Sequence, residues 1–205
     1  MLQLLGYPTQ NSKKVLYVLE EIGTPYEFRH IDLFKRENKS EEIARLNPMQ
    51  KVPILIYNGK PLFESGAICR FVANIADSPL YPKDAYERAL VDQWMDFFSN
   101  HLGRWMSSLF FQRVLRARMN KPPEDAAVRE ALEFIEVQGK VVDEWLDGRE
   151  FLTGKLSIAD LFGFAYVEQD KVCDLSLEHL PNLMRWEKAI AKRPAIARGQ
   201  KKLES

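Results

Sequence analysis

Residues 9–12, Thr9-Gln10-Asn11-Ser12, are the stretch best equipped for chemistry. They place two hydroxyls and an amide just before a helical repeat in which Val15, Val18, Leu19 and Ile22 share one face. The first turn of a helix carries unpaired backbone N–H groups and the positive end of the dipole, so an anion is stabilised there. A thiolate is one such anion, and it forms more readily at a helix N-terminus than in water. The chain does not supply that thiol itself at this turn. Cys69 and Cys173 lie far apart, form no C-x-x-C pair and match no metal pattern. Dithiol exchange by the protein's own residues is therefore excluded at this turn, whereas holding another molecule's thiol is not. His30, His101 and His179 share no ligand spacing, so no metal site is expected. Ser157 and Asp160 have the S-x-x-D spacing of a capping box, which is a structural role.

The elements that must position residues 9–12 can be read from periodicity. Leu2 to Leu5 is a short apolar run ended by Gly6 and Pro8, which reads as a strand. The helix that follows is closed by Gly23, just past its last apolar position. Residues 26–31 alternate as a second strand, and strand–helix–strand with short links implies a parallel pair. A short helix is expected at 41–46. Val52 to Tyr57 and Lys60 to Phe63 flank Asn58-Gly59, the strongest short signal for a hairpin. Ile68, Phe71, Val72 and Ile75 then restore a helical period, with Ser65 expected as its cap. This order is that of a thioredoxin-like α/β domain over residues 1–77. Residues 78–83 form a turn-rich linker, and residues 84–205 an all-α domain. In that second region one helix is expected to run from about Val91 to Met119, where Lys121-Pro122-Pro123 breaks it. Others are marked by Val128 to Leu146, by Ser157 to Ala165, and by Leu183 to Ile190.

With that layout in place, the chain resembles the cytosolic glutathione S-transferase family over nearly its whole length. Four stretches carry the resemblance: Pro8 to Val15, Asn47-Pro48-Met49-Gln50-Lys51-Val52-Pro53, Phe63-Glu64-Ser65-Gly66-Ala67-Ile68, and Leu156-Ser157-Ile158-Ala159-Asp160. The resemblance implies an enzyme that activates glutathione as a thiolate for attack on small electrophiles, a detoxifying chemistry, with glutathione as co-substrate. Thr9, Asn11 and Ser12 are the implied catalytic candidates, and Tyr7 is the alternative by likeness to tyrosine-type members. Glu64 and Ser65 are implied to clamp the γ-glutamyl amine and carboxylate. Val52, before an implied cis Pro53, is to offer its backbone, and Lys39 and Lys51 are candidates for the glycyl carboxylate. The Thr9 and Asn11 pairing resembles bacterial nu-type, theta-like members and fungal prion-related ones, which implies disulfide reduction or peroxidase activity as a second reading. A non-catalytic binding protein of the same fold is a third. A homodimer is implied, with Met49 in the loop that similar proteins insert into a partner. Trp105, Met106, Phe110 and Phe111 either line a pocket for an apolar electrophile or form helix–helix core.

Composition narrows the field further. Twenty-nine basic residues balance 29 acidic ones, so nucleic acid is not expected as a partner. No apolar run approaches the roughly 18 residues that span a bilayer, so no membrane partner is expected either. Two unpatterned cysteines suit a reducing cytoplasm.

Overall fold

The computed structural model describes residues 1–204. Its elements run β1 (Leu2–Gly6), α1 (Gln10–Ile22), β2 (Glu27–His30), α2 (Glu41–Leu46), β3 (Ile54–Tyr57), β4 (Lys60–Phe63) and α3 (Ser65–Ile75). They continue through α4 (Ala85–Asn100), α5 (Leu102–Phe110), α6 (Arg116–Arg118), α7 (Asp125–Trp145), α8 (Ile158–Val167), α9 (Pro181–Ala191) and α10 (Pro194–Glu204). The described chain forms two compact units, residues 1–82 with 192–204, and residues 83–191.

The first unit is a thioredoxin-like domain with a four-stranded sheet in the order β2-β1-β3-β4. The parallel β1–β2 pair and the β3–β4 hairpin both follow the sequence expectation. Asn58 and Gly59 take positive φ at the hairpin turn, 48° and 80°, which suits the twist of the flanking strands. Leu5 and Ile54 pair across β1 and β3 and join Ile31, Ile43 and Val52 in one buried cluster. Leu4 and Leu55, one position along, are fully buried on the other face, as the pleat requires. Because both faces are covered, the neighbours Leu4 and Leu5 are both apolar, and Gln3 is the one polar residue of β1.

Two features of this unit differ from expectation. The last helix, α10, belongs to it and not to the all-α region. Arg193 clasps the Glu21 carboxylate with two donors, and Arg198 donates to the Glu20 carboxylate and carbonyl. Gly199 approaches so closely that a Cβ there would lie 2.9 Å from the Tyr17 ring. Ser65 is the first residue of α3 and not its cap. Glu64 takes the cap position with φ 70° and makes no side-chain capping bond.

The second unit is all α-helix. The single helix expected to Met119 is interrupted at His101, whose φ and ψ are −119° and −105°, and again by a π-turn at Phe111–Leu115. The first break brings α5 against the end of α4: a Cβ on Gly103 would sit 2.2 Å from the Phe98 carbonyl, so only glycine fits.

Asp160 anchors this unit. Its buried carboxylate accepts bonds from the Leu152 N–H, the Trp186 indole, and both the N–H and hydroxyl of Ser157, each at 2.9 Å. Burial pushes its carboxyl up while these bonds pull it down. We predict that Asp160→Ala, which strands three buried N–H donors, lowers unfolding free energy by at least ~3 kcal/mol. Chemical denaturation checks this; a loss within ~1 kcal/mol would show that water replaces the carboxylate.

Candidate functional site

Strand register assembles the site in the first unit. Leu5 pairs with Ile54, and Ile54 with Phe63. The residues just beyond those pairs therefore gather at one end of the sheet. They are Gly6 and the turn to α1, the Val52–Pro53 bond entering β3, and Glu64–Ser65 leaving β4. Gly6 also pairs with His30 and accepts a 2.8 Å bond from the Ile31 N–H, which fixes β2 at the same end.

The turn from β1 to α1 is built around Ser12. Ser12 is fully buried, and its hydroxyl accepts from the Tyr7 N–H at 3.2 Å and from the Thr9 hydroxyl at 3.4 Å. Thr9 is the N-cap of α1 and its Oγ1 accepts the Ser12 N–H at 3.4 Å. A Cβ on Gly6 would lie 3.2 Å from the Ser12 hydroxyl and 2.8 Å from the Phe28 ring. Glycine is thus required for the strand to come this close to the helix start. The sequence-derived candidates now separate. Thr9 and Asn11 are partly accessible, whereas Ser12 faces inward and shapes the turn. The Tyr7 ring packs on the Leu5–Val52 cluster and lies 5.2 Å from His30 and 6.1 Å from Phe34.

The loop before β3 is held by amides. Asn47 donates to the Lys51 carbonyl at 2.8 Å and accepts the Met49 N–H at 3.0 Å. Asn38 donates to the Gln50 carbonyl at 2.9 Å. The Val52–Pro53 bond is cis; Val52 and Pro53 are buried, and Lys51 is exposed. Lys39 is exposed in the 3₁₀ turn Glu37–Lys39. Glu64 is exposed and Ser65 half-buried, so both are open to a ligand.

Trp105, Met106 and Phe110 lie in the second unit. Met106 is fully buried in the helical unit, the core alternative of the two that the sequence left open. Trp105 is half-buried and stacks on Phe134 at 4.4 Å, with the Arg104 guanidinium 5.0 Å from its ring. Phe110 is half-buried, and Phe111 is exposed. Among the described residues no cluster of three or more His, Cys, Asp or Glu side chains could hold a metal ion. No helix among them is long and apolar enough to cross a membrane.

One residue at the site escaped the sequence reading. Lys14 is 1% exposed, and its ammonium donates to Asn11 Oδ1 at 2.7 Å. Burial pulls it down to about 7, against the opposing influence of Cys69 and Glu64. The signal was present, since Lys14 stands four positions before Val18 on the buried face of α1.

Comparison with known proteins decides the family. Residues 1–74 match the model of the glutathione S-transferase N-terminal domain. A probable glutathione S-transferase of Nicotiana tabacum is 31% identical over 195 residues, covering 90% of this chain and 81% of that one. The chain belongs to the glutathione S-transferase family. A glutathione transferase of Burkholderia graminis, solved with two glutathione molecules bound per subunit, is 31% identical with a TM-score of 0.84. That similarity covers 97% of this chain and 86% of its relative. A glutathione transferase of Pseudomonas putida, solved with one glutathione disulfide per subunit, is 26% identical with a TM-score of 0.86 over 98% of this chain and 90% of the other.

The buried lysine makes stability depend on pH. In the unfolded chain Lys14 titrates at its ordinary 10.5, and in the folded protein near about 7. Between those values the unfolded chain binds one proton more, so stability rises with pH; below them both states are charged and the burial penalty is fully present. We predict that, from pH of about 7 to about 8.5, the wild-type denaturation midpoint climbs relative to that of Lys14→Met. Parallel profiles for the two proteins would show that Lys14 does not titrate there.

Proposed function

We propose that the protein binds glutathione at this sheet end, holds its sulfur as a thiolate beside Thr9 and Asn11, and directs it at small apolar electrophiles. The observation that carries the reading is the register that gathers the α1 N-terminus, the Val52 backbone and the Glu64–Ser65 pair at one end of the sheet. Membership of the family supports the same chemistry. In this reading Glu64 pairs with the γ-glutamyl amine. Ser65, at the exposed start of an 11-residue helix, offers its hydroxyl and N–H to the neighbouring carboxylate. Val52 pairs with the cysteinyl backbone as a strand edge would, and Lys51 or Lys39 meets the glycyl carboxylate.

The sulfur chemistry follows from hydrogen bonding. A free thiol has a pKa near 8.5, so only about a few per cent is ionised at pH 7. A hydroxyl or amide donor aimed at sulfur lowers that value by about one unit for each ~1.4 kcal/mol by which it prefers the anion. Thr9 needs only to turn its hydroxyl proton from Ser12 to the sulfur, because its lone pairs already serve the Ser12 N–H. No covalent enzyme intermediate is needed; the enzyme acts by binding, orientation and electrostatics.

A second reading rests on the bound molecules of two relatives. Two glutathiones in one subunit, or one glutathione disulfide, are the stoichiometry of thiol–disulfide exchange, in which two thiols are oxidised as one disulfide is reduced. The Thr9 and Asn11 pairing fits this nu-type reading. Product analysis separates the two: a glutathione conjugate marks transfer, and glutathione disulfide marks reduction. We also propose a two-fold homodimer in the cytoplasm, with Met49, 60% exposed, supplying an apolar contact to the second copy.

Two outcomes test the site. Glu64→Ala and Ser65→Ala should each weaken glutathione binding roughly tenfold or more, the worth of a hydrogen bond to a charged group, with calorimetry as the readout. Unchanged affinity in both would remove the clamp. Thr9→Ala should slow turnover at neutral pH and regain rate at higher pH, where the thiolate forms unaided. Asn11→Ala should do the same, and Tyr7→Phe should do little. Loss of activity in Tyr7→Phe alone, with Thr9→Ala silent, would overturn the assignment.

A further inference from the structure

Asn11 has a carboxamide with two unlike ends, and something must decide which end faces a ligand. An ammonium has donors only, so it can meet only the oxygen. The Lys14 Nζ bond to Asn11 Oδ1, at 2.7 Å, settles that choice. Asn11 Nδ2 makes no hydrogen bond within the described residues and lies on the far side of the amide. The bond is charge-assisted, and it polarises the amide so that its N–H groups become better donors.

We propose that Lys14 is a positioning residue of the thiol site: its ammonium orients Asn11 so that Nδ2 faces the sulfur and strengthens that donor. This rests on the reading of the site given above and deepens it.

A buried lysine has an ordinary alternative, since its aliphatic stem can simply fill space between helices. Methionine would do that without the desolvation cost of an ammonium. At a position that is 1% exposed, the charge-assisted bond to Asn11 Oδ1 leads to the thiol site. The groups facing it are Glu64, the cap of α3, and Cys69 within α3, with Arg70 acting in turn on Cys69. Arg193, just before α10, and Arg198 within it are engaged with Glu21 and Glu20 at the other end of α1. Burial lowers the Lys14 pKa to about 7. A thiolate formed at Asn11 draws the proton onto Lys14, so thiol and ammonium titrate as a coupled pair.

The experiment is an ultraviolet titration of the glutathione thiolate bound to wild type, Lys14→Met, Lys14→Gln, Asn11→Ala and the Lys14→Met/Asn11→Ala double variant. Unfolding curves and steady-state kinetics of the same proteins accompany it. In Lys14→Met the bound thiol pKa should rise by about one unit, and kcat below that pKa should fall about tenfold. The KM for glutathione should stay within about twofold, and the denaturation midpoint should not drop. Lys14→Gln offers Oδ1 a neutral donor and should fall between wild type and Lys14→Met. Because Lys14 acts through Asn11, the double variant should titrate like Asn11→Ala alone. Additive shifts in the double variant, or a wild-type thiol pKa in folded, glutathione-binding Lys14→Met and Lys14→Gln, overturn the proposal while leaving the function intact. Failure of the wild-type protein to bind glutathione overturns the reading of the site and this proposal with it.

Discussion

The turn between β1 and α1 depends on one buried hydroxyl. Ser12 Oγ accepts the Tyr7 N–H and the Thr9 hydroxyl from inside the fold, so the chain leaving β1 has a single path into the helix. Gly6 makes that path possible by letting Phe28 and Ser12 approach the strand. Thr9 becomes the N-cap as a result, and Asn11 is left on the accessible side of the first turn. If the chain took another path, the helix N-terminus would point elsewhere and the cap and amide would not share a site. Ser12 thus contributes to function by shaping the turn, and the groups free to meet a ligand are its neighbours.

Rigidity at this point is supplied from both directions along α1. At the C-terminal end, the Arg193–Glu21 and Arg198–Glu20 contacts tie α10 to the helix. The Arg193–Glu21 pair is partly buried and a two-donor clasp, so it is stronger than an isolated surface ion pair. At the N-terminal end, Lys14 is enclosed with Cys69, whose thiol burial pushes up to about 12. Cys69 is therefore an inert neighbour, and Lys14 is the buried polar group that reaches the site. A polar group buried against a stability cost is expected where function demands it.

The fold was largely legible from residues alone. The alternation of 26–31, the Asn58–Gly59 turn and the i, i+3, i+4 face of α1 each have one physical explanation, and all appear as read. Three features were not legible, each for its own reason. Residues 194–204 carry a short apolar face of Ala195, Ile196 and Leu203, and the arginine–carboxylate contacts that also hold this end of the chain to α1 leave no periodicity. The break at His101 falls inside an unbroken helical pattern and is set by the close contact that Gly103 allows. Glu64, at positive φ, takes the cap position expected of Ser65, so Ser65 falls one place into the helix. At the site, residue types and spacing pointed to Thr9, Asn11 and Ser12 together. Only burial distinguishes Ser12, which faces the core, from the other two, and only geometry reveals the lysine behind Asn11.

The central claim is that the α1 N-terminus receives the sulfur of glutathione, and a crystal structure with glutathione bound tests it most directly. The account predicts the sulfur within hydrogen-bond reach of Thr9 Oγ1 and Asn11 Nδ2, the γ-glutamyl end on Glu64 and Ser65, and Lys14 still bonded to Asn11 Oδ1. Sulfur facing the Tyr7 hydroxyl, or glutathione seated away from this end of the sheet, would contradict it.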